Sequence, residues 1–216
     1  MKNKLIIIIV FVGMITNIGL GQISIDSSEI KKNYTNIDEA LKNPEKVYRL
    51  DLSNQNVNIP NEVWLKFINL EFLSFRNDHL KEIPNEIGLL KNLKILDLSG
   101  NDFKELPKSL SGLSNLEELF LNDETNFKLK KSIDVISLLP ELRILHLEND
   151  RLKKLPKNIW KLRHLETLYL KNNNFREIPI QLKSLNQLKY LDLQHNKIKL
   201  DTQDMSIRNF GYQIKF

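Results

Sequence analysis

Aliphatic residues recur along this chain at a nearly constant interval, and this period constrains the fold more than any other feature of the sequence. The step from one unit to the next is 23, except for a single step of 26, and the units open at Val47, Leu70, Leu93, Leu116, Leu142, Leu165 and Leu188. Self-similarity at a fixed period of this length is typical of solenoids, in which each unit contacts only its neighbours. The sequence therefore predicts seven stacked repeats.

The third repeat shows what one unit contains. Leu96 and Leu98 are separated by one residue, so both side chains lie on the same face of a short strand. Asn101 then turns the chain, and apolar residues from Phe103 onward, spaced by three or four, line the inner side of a return segment. One unit cannot bury its leucines alone. Stacked units bury them against each other, and the strands form a parallel sheet along one side.

This pattern resembles the leucine-rich repeat family, in the 23-residue form whose return segment contains Leu-Pro, as at Leu106-Pro107. The resemblance covers residues 47–200. It implies an α/β solenoid, curved, with the parallel sheet on its concave face and short helical or irregular turns on its convex face. In the family, Asn at the ninth position of each repeat hydrogen-bonds to backbone groups of the turns. The column here holds Gln55, Asp78, Asn101, Asp150, Asn173 and Asn196. Since an ionised Asp has no amide donor, we expect a weaker ladder at Asp78 and Asp150.

Residues 1–21 have the pattern of a secretory signal peptide. Lys2 and Lys4 form a basic start, an uncharged apolar run covers residues 5–12, and Gly19 and Gly21 are small residues before a cleavage site at Gln22. The alternative is an uncleaved membrane anchor, but the run is shorter than the ~20 residues of a spanning helix. We therefore expect a secreted or periplasmic bacterial protein, with no stable membrane insertion after cleavage.

Two short segments are predicted to cap the repeats. Residues 22–46 form an N-terminal helical cap, in which Asn36 caps the helix and Glu39 returns a reciprocal hydrogen bond. Residues 201–216 form an irregular C-terminal cap. Its apolar residues that could cover the last repeat are Ile207, Phe210, Tyr212, Ile214 and Phe216.

Motifs for chemistry are missing from the sequence. There is no Gly-rich phosphate loop, no H-E-x-x-H and no cysteine, and the four histidines occupy different columns of the repeat. We therefore expect no enzyme, no cofactor and no metal site. The formal net charge of +5 is too small to indicate nucleic acid. The densest basic stretch could face phosphate or glycan, although a solvated convex surface is the favoured interpretation. Its members are Lys153, Lys154, Lys157, Lys161 and Arg163.

The strand residues that flank the leucines point outward, and between repeats four and seven many of them are aromatic. Phe120, His146 and Tyr169 are consecutive in the central column, and Ile144 and Tyr190 lie beside them. Solvent-facing aromatics on a rigid sheet are typical binding anchors, although aromatics also favour strands for their own sake. We predict a partner-binding surface here, with a polar rim formed by Glu118, Glu148 and Lys171.

The fourth repeat is longer than the others by three residues, and the excess falls within residues 122–128. It also lacks Leu-Pro, with Ser132 where the aliphatic residue before proline would stand. Insertions in solenoids map to loops and often border a binding face. Either this insertion belongs to the site that begins at Phe120, or the repeat has drifted without a functional consequence.

The sequence thus predicts a non-catalytic module that binds a protein partner on its concave face. The alternatives that remain are a binder of carbohydrate or of another cell-surface ligand on the same face, an intracellular scaffold whose leader is only a hydrophobic tail, and an enzyme with a site that no motif reveals.

Overall fold

The computed structural model describes residues 32–56, 59–124, 126–199 and 211–216. The predicted signal peptide at residues 1–21, together with Ile207 and Phe210 of the predicted C-terminal cap, lies outside the described residues. The described strands form one parallel sheet whose order in space is their order in sequence. They are β1 (Asn33–Tyr34), β2 (Arg49–Asp51), β3 (Phe72–Ser74), β4 (Ile95–Asp97), β5 (Glu118–Phe120), β6 (Ile144–His146), β7 (Thr167–Tyr169), β8 (Tyr190–Asp192) and β9 (Gln213–Lys215).

The leucine period fixes the register of this sheet. Leu96 of β4 pairs with Leu119 of β5, which pairs in turn with Leu145 of β6. The second apolar residue of each strand motif, such as Leu98, follows the strand and is also buried. One continuous apolar core results, running from Ala40 to Leu193 behind the sheet. The predicted curved leucine-rich repeat solenoid, with the sheet on its concave face, is confirmed.

The convex side is built mainly from short 3-10 turns. Five of them begin directly after a proline of the Leu-Pro column, because proline fixes φ and cannot donate the hydrogen bond that a longer helix would need. A sixth, Pro44–Lys46, has the proline as its first residue. The other five are Asn61–Lys66, Asn85–Leu89, Lys108–Gly112, Lys157–Lys161 and Ile180–Ser184.

A short helix, α1 (Ile37–Ala40), lies in the predicted N-terminal cap. The Asn36 side chain accepts a hydrogen bond from the backbone N–H of Glu39, as expected of an N-cap. The Glu39 carboxylate, for which we expected a reciprocal bond to Asn36, accepts from Lys32 Nζ at 2.9 Å.

The fourth repeat replaces its 3-10 turn with a true helix, α2 (Leu129–Ile136). No proline interrupts this segment, and the three extra residues give it room for a longer turn. Ser132 is buried at the position of the missing aliphatic residue, and its Oγ accepts a hydrogen bond from the backbone N–H of Leu106. The insertion also brings Phe127 edge-on against Phe103, with ring centroids 5.7 Å apart. Phe127 thus packs against the preceding repeat.

The C-terminal residues continue the sheet, where an irregular cap was expected. Gln213 pairs with Tyr190 and Ile214 with Leu191, so β9 extends the array in parallel. Gln213 follows Tyr190 by the same interval as Tyr190 follows Thr167, because the period continues past the seventh repeat. This spacing was the signal that could have identified the strand.

The ninth-position column forms the expected ladder where it holds Asn. Asn173 donates from Nδ2 to the carbonyls of Leu147 and Leu170, and its Oδ1 accepts from the backbone N–H groups of Asp150 and Leu152. Asn101, in the third repeat, makes the equivalent bonds. Each Asn therefore joins two neighbouring repeats through buried hydrogen bonds.

Acids occupy this column in three repeats, and all three are buried: Asp78, Asp150 and Glu124, the last of which the sequence reasoning passed over. Asp150 Oδ1 accepts from the Glu124 N–H at 2.8 Å, while Glu124 Oε1 accepts from the Asn101 N–H at 2.9 Å. Among the described residues, Oδ2 of Asp150 and Oδ2 of Asp78 have no hydrogen-bond partner, which agrees with a weaker ladder there. Burial raises the pKa of Glu124 and of Asp150 to about 8, and it also raises the pKa of Asp78.

Candidate functional site

Four rings form a continuous row across β5 to β8 on the outward face of the sheet. The ring centroids of Phe120 and His146 are 3.9 Å apart, and those of His146 and Tyr169 are 4.4 Å apart. Both pairs are nearly parallel, with interplanar angles of 14° and 10°. Tyr190 adds a tilted ring 5.7 Å from Tyr169. The first three rings stack because the register places them on directly neighbouring strands.

His146 is the centre of this row, and it is buried, with only 8% of its surface exposed. The prediction that it faces solvent was therefore wrong. The rings of Phe120 and Tyr169 cover both of its faces, and two carboxylates flank its edge. Its Nε2 is 2.8 Å from Glu118 Oε1, and its Nδ1 is 3.5 Å from Glu148 Oε2.

The two carboxylates determine the charge of His146. Burial alone lowers its pKa, but the hydrogen bond to Glu118 and the negative charges of Glu118 and Glu148 outweigh burial, so the pKa is raised above the ordinary value. An imidazolium between two ring faces is also favoured by cation–π attraction. Glu118 and Glu148, which were predicted as a polar rim, thus contact the ring nitrogens of His146 inside the row.

The remaining predicted residues lie around the row. Phe120, Ile144, Tyr169, Tyr190 and Lys171 are all half-buried, so each leaves part of its side chain accessible on the concave face. Burial raises the pKa of both tyrosines, and they stay neutral hydroxyl donors at physiological pH. The result is a ridge of ring edges with hydroxyl groups at one end. The rings of this ridge pack against one another, so the surface is already ordered before a partner binds.

The central column holds aspartates outside the ring row, and their role was not predicted. Asp97 accepts a hydrogen bond from the backbone N–H of Ser99 at 2.9 Å, and Asp192 accepts from that of Gln194 at 2.9 Å. Asp51 does the same with Ser53. Each closes the turn that ends its strand. The signal in the sequence is an Asp in the central column, directly before the second leucine of the strand motif.

The N-terminal part of the face is different in character. The Arg49 guanidinium lies over the Phe72 ring, 4.1 Å from its centroid. The hydroxyl of Ser53, in the turn after β2, is 2.7 Å from the hydroxyl of Ser74 in β3. A polar surface with one ring under a guanidinium thus precedes the row of four rings in repeats four to seven.

The described residues contain no group of three or more His, Asp or Glu side chains placed to hold a metal ion. No helix in the described part of the chain is long and apolar enough to cross a membrane.

Solved structures resemble this chain over most of its described length. A leucine-rich repeat protein of Leptospira interrogans is 30% identical with a TM-score of 0.64, over 85% of this chain and 54% of its own. Human trophoblast glycoprotein 5T4 is 25% identical with a TM-score of 0.65, over 79% of this chain and 69% of its own. An internalin of Listeria monocytogenes, 21% identical with a TM-score of 0.53, covers 80% of this chain and 55% of its own, and it supports the fold alone. This chain thus spans about half the length of the two bacterial proteins.

Family models agree with these structural likenesses. A leucine-rich repeat region matches residues 46–139, and a leucine-rich repeat model matches residues 140–198, so that together they cover more than two thirds of the chain. No curated protein sequence matches it. Proteins of this family typically serve as interaction scaffolds and are typically non-catalytic. The chain is a leucine-rich repeat protein.

Proposed function

We propose that this chain is a non-catalytic binding module that captures a protein partner on the concave face of repeats four to seven. The observation that carries the proposal is the braced ring row of Phe120, His146, Tyr169 and Tyr190. Rigid aromatics at the centre of a surface are the side chains that contribute most to binding energy in protein interfaces. They lose little conformational entropy on binding, because the stack has already fixed their rotamers.

Two features favour a protein over a sugar as the partner. Sugars pack on the open faces of aromatic rings, whereas the faces of Phe120 and Tyr169 that meet His146 are already covered. The row offers ring edges and two tyrosine hydroxyls, which suit the mixed apolar and polar surface of a polypeptide. Carbohydrate binding on the same face is the second outcome that the experiment below distinguishes.

We further propose that the protein is exported by a bacterium and acts in the periplasm or outside the cell. The basic start, apolar run and small residues before Gln22 support export. Likeness to the Leptospira protein agrees with a bacterial source. Sequencing of the mature N-terminus tests this proposal, and a chain that retains residues 1–21 would contradict it.

The capture experiment compares two variants of the full chain. Phe120→Ala/Tyr169→Ala/Tyr190→Ala removes the accessible rings, and Phe72→Ala is the matched control because it removes a ring from the same face in repeat two. We expect the wild type and the control to retain a partner from the native milieu, while the triple variant loses it. Far-UV circular dichroism confirms that each variant is folded.

A triple variant that captures the same partner as the wild type would place the binding site elsewhere. Partner identification by mass spectrometry is run beside a glycan array. A glycan that depends on the three rings, with no protein captured, would overturn the choice of a protein partner and establish the carbohydrate alternative.

A further inference from the structure

Stacking of the repeats places basic residues in two columns along one edge of the solenoid, just after the ninth-position ladder. Lys153, Arg176 and Lys199 occupy the same position in three consecutive repeats, and Arg151 and Lys197 lie in the column beside them, two repeats apart. Neighbouring repeats are about 4.8 Å apart, the spacing of paired strands. The fold therefore gathers cations that are distant in sequence.

These columns border an open pocket of about 480 Å³, lined by Lys153, Lys154, Asn174, Arg176, Glu177 and Lys197. Four of the six lining residues are cations, and Glu177 is the only acid among them. All four cations are exposed. Within the described residues, none of the four has a carboxylate oxygen within ion-pair distance. The lining therefore carries more positive than negative charge, and its cations have no direct ion pair among the described residues.

In repeats two and three the same edge carries acidic residues beside its cations, so these repeats can be compared with repeats five to seven. Lys81 and Lys104 occupy the column of Lys153 and Arg176, and each is followed by a glutamate, Glu82 or Glu105. Asp102 adds a third acid to the pocket that these residues line. Repeat five departs from this pattern because Lys154 replaces the glutamate, and repeat seven departs because Lys197 stands where repeat three has Asp102, whereas repeat six keeps Glu177. The excess of charge is therefore local.

The basic stretch identified in the sequence is divided by the structure into two groups. Lys161 Nζ is 2.8 Å from Asp134 Oδ1, and the Arg163 guanidinium lies 5.5 Å from the centroid of the Trp160 ring. These two cations on the convex side have partners. Lys153 and Lys154 point instead to the pocket that Arg176 and Lys197 share.

We propose that this pocket binds a compact anion that carries two or more phosphate groups. An arginine fork pairs with two phosphate oxygens at once, and lysines supply point charges around it. Four cations around one pocket suit several linked oxyanions better than a single carboxylate. Asn174, whose Nδ2 donates to the Arg151 carbonyl at 3.4 Å, forms part of the pocket wall. The site lies on the edge of the solenoid and does not depend on the concave face binding a protein.

Isothermal titration of the full chain with sodium tripolyphosphate at low ionic strength tests the proposal. Lys153→Glu/Arg176→Glu reverses two cations of the pocket, and Lys81→Glu/Lys104→Glu reverses two cations of the same column in repeats two and three. All four residues are exposed, so both variants should fold, as circular dichroism would confirm. We expect the first variant to weaken binding by about tenfold or more and the second to leave it within about twofold.

Equal weakening by the two variants would show that only net charge matters and would overturn the proposal, as would absence of tripolyphosphate binding to the wild type. Co-sedimentation with phosphatidylcholine vesicles that contain cardiolipin, a lipid with two phosphate groups, distinguishes the source of the phosphate. Pelleting that needs Lys153 and Arg176 supports a lipid headgroup as the source, whereas tripolyphosphate binding without pelleting supports a soluble one.

Discussion

Replacing Asp150 by Asn should remove a large part of the pH dependence of this protein's stability. Asp150 is buried, its Oδ2 has no hydrogen-bond partner among the described residues, and burial raises its pKa to about 8. In the unfolded chain its pKa returns to the ordinary value near 3.8. Between these two values the folded state holds a proton that the unfolded state has released.

The sign of the effect follows from this difference. Because the native state binds the extra proton, the free energy of unfolding falls as pH rises from about 4 to about 8, by about 1.4 kcal/mol per pH unit for one carboxyl. From pH 5 to pH 7 the contribution of Asp150 is therefore about 3 kcal/mol. Glu124, whose pKa is also raised to about 8, acts in the same direction.

Asn at this position has a precedent in the same column. Asn173 and Asn196 both donate to the Leu170 carbonyl, so one carbonyl of the ladder serves two amides. An Asn at position 150 can share the Leu147 carbonyl with Asn173 in the same way. Its amide supplies the donor that an ionised Asp lacks, and it does so at every pH.

The assay is urea unfolding followed by tryptophan fluorescence and far-UV circular dichroism at pH 5, 6 and 7. We expect the stability of Asp150→Asn relative to the wild type to increase by about 3 kcal/mol between pH 5 and pH 7, or roughly 6–12 °C in Tm. Asp102→Asn is the control, because Asp102 is exposed. A wild-type stability that stays flat or rises over this range, or an equal response of both variants, would refute the reasoning.

Two further predictions concern the ring row and the core. An NMR titration should find the pKa of His146 raised in the wild type and lowered in Glu118→Gln/Glu148→Gln, since burial alone disfavours the imidazolium. An unchanged pKa would contradict the role given to the two carboxylates. Because the folded pKa is the higher one, this histidine stabilises the fold below about pH 6.5, and that stability is lost as pH rises through the folded value. Leu168→Asp should unfold the array, since it buries an unpaired charge at a fully buried strand position. Thr167→Asp, on the half-exposed face, should lower the stability only slightly. Equal melting temperatures for the two variants would argue against the strand register.

The repeated parts of the fold could be read from the sequence because the period itself fixes them. Leu96, Leu119 and Leu145 are in register because their spacing is the length of one repeat, and the proline column marks where each convex turn begins. The same logic placed Phe120, His146, Tyr169 and Tyr190 on one face. The structure differs from the prediction at positions where side chains contact one another. A column assignment gives no ring orientation, so the burial of His146 between two rings could not be predicted.

The other departures have local causes. Glu124 was missed although it stands eight residues after Leu116, the same position in its repeat that Asn101 holds after Leu93. β9 was missed because the leucines had stopped, although Ile214 kept the period. The helix α2 depends on a missing proline and three extra residues, and the sequence showed both without showing which structure would replace the turn.

The lengthened fourth repeat also shows how the two sides of this molecule can change separately. Leu119 and Leu145 are separated by the one longer interval in the array, yet they pair in the same register as the leucines of ordinary repeats, because the extra residues are absorbed behind the sheet. A segment added between a ladder residue and the next strand therefore leaves the concave side chains where they were. Such loops on the convex side are sites where a tag, a cross-linking residue or a second binding segment could be introduced without altering the surface that meets the partner.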